Sequence, residues 1–452
     1  MPGVVNQPVM KRRITPSVSL LSVHQNMPDR WPFLLASSAS AGSLGRWSML
    51  LRADEEALAL WPGTDRPEGP GEGDTFLDRL QSWSSASQGE SDDELPFVGG
   101  WFVYLGYELV GEIEPRLHLP PAEDGLPKAF ARRCRAAILL DHRKGQCWLV
   151  SEDAETFDQA LAEIENLPAG MSPPELPLLR MSVDPGKQFT AGVDRIRQWI
   201  LDGDVFQVNL SRAWHAECDE PIDPVAVYAA LAEANPAPFA ALARMPGGTV
   251  ISSSPERLVE VRGRLVQTRP IAGTRPRGAS AGLDESLSRE LVSHPKERAE
   301  HIMLIDLERN DLGRVCETGS VEVDELMVIE SYAHVHHIVS NVRGRLRDGL
   351  HPSDVIAAVF PGGTITGCPK VRCMEIIAEL EGRGRSFYTG ALGYLGRDGS
   401  LDLNILIRSM LVSGNRLSFR TGAGIVSDSE PDSELAETEA KARGLLRALK
   451  HD

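Results

Sequence analysis

Residues 388–426 read YTGALGYLGRDGSLDLNILIRSMLVSGNRLSFRTGAGIV. Short apolar runs are broken by Asp398-Gly399 and Gly414-Asn415, dipeptides that favour the φ values of tight hairpin turns. The stretch therefore predicts an antiparallel meander. A last helix is predicted from about Pro431, with proline in its first turn and Asp428 or Ser429 as its cap.

Working backwards, LVEVRGRLVQT (258–268) alternates apolar and polar residues around Arg262-Gly263, which predicts a β-hairpin. FVGGWFVYLGYELVGEI (97–113) and AAILLDHRKGQCWLVS (136–151) read as further strands, and TAGVDRIRQWILDGD (190–204) as an amphipathic helix. The Pro/Gly/Ser-rich run NLPAGMSPPELP (166–177) marks a boundary between a region 15–165 and a region 185–450. A mixed α/β protein with extensive antiparallel sheet is expected.

The 452 residues are 42% hydrophobic and 25% charged, within the globular range, and hold no apolar run of 18 or more. The N-terminal stretch lacks a signal-peptide cleavage site and reads as a frayed terminus. Six cysteines without CxxC or Cys/His spacing point to reduced thiols, a cytoplasmic location and no zinc site. A net charge of −17 disfavours nucleic acid as a partner and means that an anionic substrate needs local cations or a metal.

Several groups offer such chemistry. RPIAGTRPRG (269–278) sets Arg269, Arg275 and Arg277 around Gly273, with the inert Ala272 at its centre. Glu297 and Glu300 stand at i, i+3 on one predicted helix; Glu434, Glu437 and Lys441 share a face of the last. Each set is either a solvated face or half of a site for a hard cation such as Mg²⁺. FPGGTITGCPK (360–370), which holds Thr364, is a tight turn or an anion nest before a helix, and it is not a Walker P-loop. RTGAGIV (420–426) offers similar bare backbone beside Arg408. In HVHHIVS, His337 faces away from His334 and His336. Glu256, after Pro255, is a general acid or a salt-bridged turn residue.

Together, GDVFQVNLSR, SSSPERL, TRPIAGTRPRG, KERAEHIMLIDLERNDLGRV, HHIVS, FPGGTITGCPK, IRSML, GAGIVSDS and ELAETEAK resemble, in order over about 185–450, the chorismate-utilising enzymes. That family includes anthranilate, aminodeoxychorismate, isochorismate and salicylate synthases; the N-terminal LPFVGGWFVYLGYEL extends the likeness. The resemblance implies an α/β (α+β) fold of two large antiparallel sheets packed as a sandwich with helices outside. It implies Mg²⁺ on Glu300 and Glu437, with Glu297 and Glu434 beside them, holding the ring carboxylate of chorismate. Gly273 and Thr274 would line that carboxylate, with Thr364 also on the substrate; Tyr394, Arg408, Gly424 and Lys441 would hold the enolpyruvyl carboxylate. Glu256 would protonate the departing C4 hydroxyl, and His337 would orient the ring or handle a proton.

The family's water-adding members carry a lysine where this chain has Gln207, so ammonia is the implied nucleophile. QVNLS, HHIVS and PGGTITG resemble the aminodeoxychorismate branch of para-aminobenzoate and folate biosynthesis. Ala272 resembles the anthranilate branch: many aminodeoxychorismate synthases carry a nucleophilic lysine there. No glutaminase signature is present, so ammonia is expected from a separate glutamine amidotransferase subunit, component II. A silent regulatory binder would need to have lost the acid or a metal ligand, and Glu256, Glu300, Glu437 and Lys441 are all present. By resemblance, a tryptophan-sized pocket is expected near Leu35, Ser37 and Arg46.

Overall fold

The computed structural model describes residues 9–15, 19–37, 45–168, 172–278, 280–332 and 335–451. Two antiparallel sheets, of twelve and ten strands among the described residues, make up the framework. The larger runs from Met10–Ile14 at one edge, through Phe33–Ala36 and Phe239–Met245, to Gln207–Glu217 and Gly367–Cys368 at the other. The smaller runs from Ile271–Pro276 and Val335–Arg345, through Arg257–Arg262 and Leu401–Ile405, to Gly100–Leu105 and Ala57–Leu60. Strands from both sides of the 166–177 break pair directly in each sheet: Leu34 opposite Leu242, and Val103 opposite Gly393. The two regions thus share both sheets.

The facing surfaces interdigitate in one apolar core. Phe33 of the larger sheet stacks on Phe102 of the smaller, with ring centroids 3.8 Å apart and planes 5° from parallel. Gly100–Leu105 is buried along its whole length because it packs on both faces, which is why its sequence does not alternate. Helices cover the outsides: Phe76–Ser85, Pro295–Gly313 and Pro352–Val359 on the smaller sheet, Ala154–Glu165, Pro224–Ala234 and Pro431–Ala448 on the larger. Both sheets twist apolar faces together, so the sandwich is the packing that removes most apolar surface from water. Among the described residues no helix is long and apolar enough to cross a membrane.

The hairpin around Arg262-Gly263 forms as its sequence predicts, with Arg262 opposite Leu265 and Gly263 at φ 56°. Two expectations are corrected. The stretch 388–426 is not one meander: Ala391–Gly396 and Leu401–Ile405 lie in the smaller sheet, Ser409–Ser413 and Arg416–Ile425 in the larger. The change of sheet falls at Leu406–Arg408, where Arg408 takes φ 52°. The last helix starts at Pro431 without a side-chain cap, since Ser429 Oγ instead accepts the Val426 N–H at 3.0 Å. Proline, having no N–H, leaves one fewer donor to cap there.

Candidate active site

Two neighbouring strands change sheet side by side, and the candidate site lies at that corner. Gly248–Ser254 pairs with Ser409–Ser413 in the larger sheet, and Arg257–Arg262 pairs with Leu401–Ile405 in the smaller. Pro255-Glu256 makes one crossing and Leu406–Arg408 the other. The crossings are stitched by Ile405 N–H to the Glu256 carbonyl (3.0 Å), Ser253 N–H to the Arg408 carbonyl (3.0 Å) and Ser254 Oγ to the Ile405 carbonyl (2.6 Å). A strand that bends between sheets forfeits ladder bonds, and these contacts replace them.

Glu256 is 5% exposed, and burial pushes its carboxyl up to about 7. The Thr364 hydroxyl, the Ile271 backbone N–H and the charge of Lys441 act in the opposite direction. Thr364 sits in the turn Gly363–Ile365 and faces the carboxyl without closing a hydrogen bond of ordinary geometry. At neutral pH a good share of Glu256 is therefore a proton donor, the state that a departing hydroxyl requires.

A second buried carboxyl escaped the sequence reading. Glu308 is pushed up to about 8 by burial and then by the charge of Asp311, and it lies beside Thr268 and within the field of Glu256. A Cβ on Gly363 would stand 3.5 Å from Glu308 Oε1, which places it behind the Thr364 turn. Asp311 in turn pairs with Lys370 at 2.5 Å. Leu304, Glu308 and Asp311 continue the helix face that starts with Glu297 and Glu300, a spacing visible in the sequence.

His337 stands opposite Thr274 in the smaller sheet. Burial, then the charge of Arg408, lowers its imidazole to about 4, so the ring is neutral at pH 7; it bonds the Gly273 carbonyl. Ala272 lies opposite Ile338, and a register shift separates it from Thr274. Gly273 occupies that shift at φ 73°, and a Cβ there would meet Glu297 Oε2 at 2.7 Å. The Thr274 side chain lies outside the described residues. The three loop arginines are each bound to carboxylates: Arg269 to Glu330 (2.6 Å), Arg275 to Glu297 (3.1 Å) and Arg277 to Asp284 (2.8 Å). The loop's cations are thus paired with carboxylates of the neighbouring strand and helices.

From the last helix, Lys441 Nζ donates to the Gly422 carbonyl (2.9 Å) and pairs with Glu437 (2.7 Å). Gln207 packs its side-chain amide against the bare α-carbon of Gly424, and its Oε1 is buried with no partner. Tyr388, unmarked in the sequence reading, aims its hydroxyl at Gly422, 2.8 Å from where a Cβ would sit, and lies within the field of Arg408. Burial lowers Arg408, and Glu437 opposes this.

Tyr394 is placed elsewhere. Its hydroxyl meets Arg262 Nη2 at 2.5 Å in a cavity of about 310 Å³ between the sheets, lined also by Leu35, Arg46, Arg257 and Asp402. Tyr394 points into the sandwich because it lies inside a strand, whereas Tyr388 precedes that strand at the corner. Leu35 and Arg46 therefore line one cavity together with Tyr394, and Ser37 is not among its lining residues. Arg46 pairs with Asp141 at 2.8 Å, and buried Ser37 donates its N–H to Ser48 Oγ at 3.0 Å.

Contacts and fields thus join Glu256, Thr364, Lys441, Glu437, Arg408, His337, Gly273 and Glu297 around one corner, and Gln207 and Gly424 meet each other on the adjoining strands. Glu434 is buried and Glu300 half-buried on the two flanking helices. Among the described residues no three His, Cys, Asp or Glu side chains form a cluster fit for a metal ion. The donors suit Mg²⁺ in kind, since that ion takes carboxylate oxygens and commonly only one or two of them. Glu297 and Glu437 are here turned onto Arg275 and Lys441. The arrangement can hold an anion on Lys441 and Arg408 while a buried acid protonates it.

A family profile described as chorismate binding enzyme matches residues 55–447. The anthranilate synthase component I-like protein of Synechocystis is 46% identical over 359 residues, covering 79% of this chain and 74% of that protein. Aminodeoxychorismate synthase component 1 of Bacillus subtilis is 43% identical over 391 residues, covering 84% and 83%. The crystal structure of anthranilate synthase component I from Streptococcus pneumoniae superposes with a TM-score of 0.79 at 33% identity, covering 90% and 93%.

Proposed function

Because the chain belongs to the chorismate-binding enzymes, we propose that it is an aminodeoxychorismate synthase component I, aminating chorismate to 4-amino-4-deoxychorismate for para-aminobenzoate and folate biosynthesis. The observation that carries the chemistry is the buried Glu256, pushed up to about 7 within the field of Lys441, at the corner where Arg408 makes the neighbouring crossing. Lys441 and Arg408 hold the enolpyruvyl carboxylate, and Glu256 delivers its proton to the C4 oxygen as that C–O bond breaks and water leaves. Ammonia supplies the new C–N bond, and its surplus proton returns to the carboxylate. Gln207 is no base, so it does not activate water to compete with ammonia. The neutral imidazole of His337 orients the ring from the opposite strand.

Magnesium fits this reading: Glu300 and Glu437 would hold it, with Glu297 and Glu434 beside them. When bound, it supplies positive charge for the ring carboxylate. Ammonia comes from a separate glutamine amidotransferase subunit, in keeping with the component 1 naming of the Bacillus subtilis relative. The inter-sheet cavity at Leu35, Arg46 and Tyr394 is the place for a tryptophan-sized ligand.

Ala272 favours a second reading, an anthranilate synthase component I, because an alanine cannot attack C2. In the first reading ammonia itself is therefore the nucleophile. Incubation with chorismate, Mg²⁺ and ammonium, with product identified by mass and fluorescence, separates the two. Non-fluorescent aminodeoxychorismate is expected. Fluorescent anthranilate without added lyase would show the second reading, and unconsumed chorismate a silent binder.

A further inference from the structure

One edge of the strand Gln207–Glu217 is completed by unlike pieces. Gly367–Cys368 pairs with Gln207 and Val208, and Arg180–Val183 pairs with residues 214–217. Between them, the Asn209 N–H reaches the Thr366 carbonyl (2.9 Å) and the Ala213 carbonyl accepts the Asp184 N–H (3.0 Å), and side chains take other backbone groups of residues 209–213. The Glu381 carboxylate accepts the Ser211 N–H (3.0 Å) and hydroxyl (2.8 Å), and Arg385 donates to the Asn209 carbonyl (2.7 Å). Further along, Asp184 accepts the Ala213 N–H at 2.8 Å. Side chains thus satisfy ladder groups that no strand reaches.

The centre of this patch is a buried ion network. Arg385, 2% exposed, pairs with Glu381 at 2.7 Å, and Arg420 reaches the other oxygen of Glu381 at 2.6 Å. Burying such charges costs several kcal/mol, and well-packed apolar residues often serve stability as well. What an arginine adds is a rigid fork of donors with fixed directions. Arg385 directs its fork to the Ile365 carbonyl (3.2 Å), next to Thr364, and to Asn209, two residues beyond Gln207. Its guanidinium also lies over the Tyr388 ring at 5.5 Å, and Arg420 adds a second cation at 5.8 Å. Three segments therefore meet on one side chain: the turn of Thr364, which faces Glu256, the strand that begins at Gln207, and the residues leading to Tyr388.

We propose that Arg385, clamped by Glu381, is a positioning residue that sets the Thr364 turn against Glu256 and, with it, the neighbouring segments of Gln207 and Tyr388. Its catalytic consequence rests on the chorismate reading, and its structural one on the geometry of the fold alone.

Arg385→Lys keeps a cation for Glu381 and removes the fork. Arg133→Lys is the control: Arg133 is equally buried, pairs with Glu152 and lies over the Trp101 ring, remote from the corner. Thermal unfolding, kcat and KM with chorismate, ammonium and Mg²⁺, and crystal structures are compared for both variants and the wild type. Similar losses of Tm are expected. Only Arg385→Lys should lower kcat, by about tenfold or more, with Thr364 and Tyr388 displaced by roughly 1 Å. A kcat within about twofold of wild type, an equal loss in Arg133→Lys, or unmoved Thr364 and Tyr388 would overturn the proposal. If Arg385→Lys does not fold, Glu381→Gln, which keeps an acceptor for Ser211, is read by the same outcomes. Should the wild type leave chorismate untouched, the chorismate reading falls, and the positions of Thr364 and Tyr388 still decide this one.

Discussion

Lys441 holds the Glu437 carboxylate at 2.7 Å from one turn further along the last helix, and the same ammonium reaches the Gly422 carbonyl at 2.9 Å. One side chain thereby joins the acidic helix to the glycine-bare strand. Lys441→Met removes the cation proposed to meet the enolpyruvyl carboxylate. A charged hydrogen bond contributes about 1.5–3 kcal/mol, so the KM for chorismate should rise roughly ten- to a hundredfold. Steady-state kinetics check this, and an unchanged KM would place the carboxylate elsewhere.

The pH dependence follows from Glu256. Its carboxyl titrates at about 7, so kcat/KM should fall as pH rises through that value. Glu256→Gln should lower kcat by about 10²–10⁴-fold at pH 7. Because the folded-state pKa is raised above the ordinary carboxyl value of 4.5, its stabilising contribution is complete below that value and is lost as pH rises through about 7. Glu256→Gln should accordingly unfold at a higher temperature than wild type at pH 8. A lower Tm there would contradict the burial cost.

Gly273 tests the close approach of the 269–278 loop to the helix Pro295–Gly313. Alanine at φ 73° is strained by about 1–2 kcal/mol, and its Cβ would displace the Glu297 carboxylate that now lies 2.7 Å away. Gly273→Ala should lose about 1–2 °C of Tm by calorimetry, what that strain predicts for 452 residues. Activity should fall at least about tenfold, since the carboxylate beside the substrate is moved.

Metal dependence is the fourth expectation. Excess chelator should abolish turnover, and added Mg²⁺ should restore it. Glu300→Gln and Glu437→Gln should each raise the Mg²⁺ concentration for half-maximal rate by about tenfold or more, as loss of a carboxylate ligand does. Full turnover in chelator would exclude a metal from the reaction.

Local patterns carried much of the fold. The hairpin at Arg262-Gly263 and the start of the last helix at Pro431 depend on φ preferences and on a missing N–H, both properties of the residues themselves. The spacings of Glu297 with Glu300 and of Glu434 with Glu437 are likewise helical geometry, legible at once. The switch of sheets at Leu406–Arg408 was not, because strand periodicity is the same whichever sheet receives the strand.

What the chain determined on its own is therefore which segments form strands and helices, and which glycines, glutamates and cations those segments bring. Tertiary structure alone decided that Tyr388 rather than Tyr394 faces the corner, and that Arg269 is spent on Glu330, 61 residues away. It also decided that Glu256 is buried deeply enough to keep a proton near pH 7. The reason is physical: φ preference and periodicity act over a few residues, whereas desolvation and charge pairing depend on what the packed sheets bring within a few ångströms.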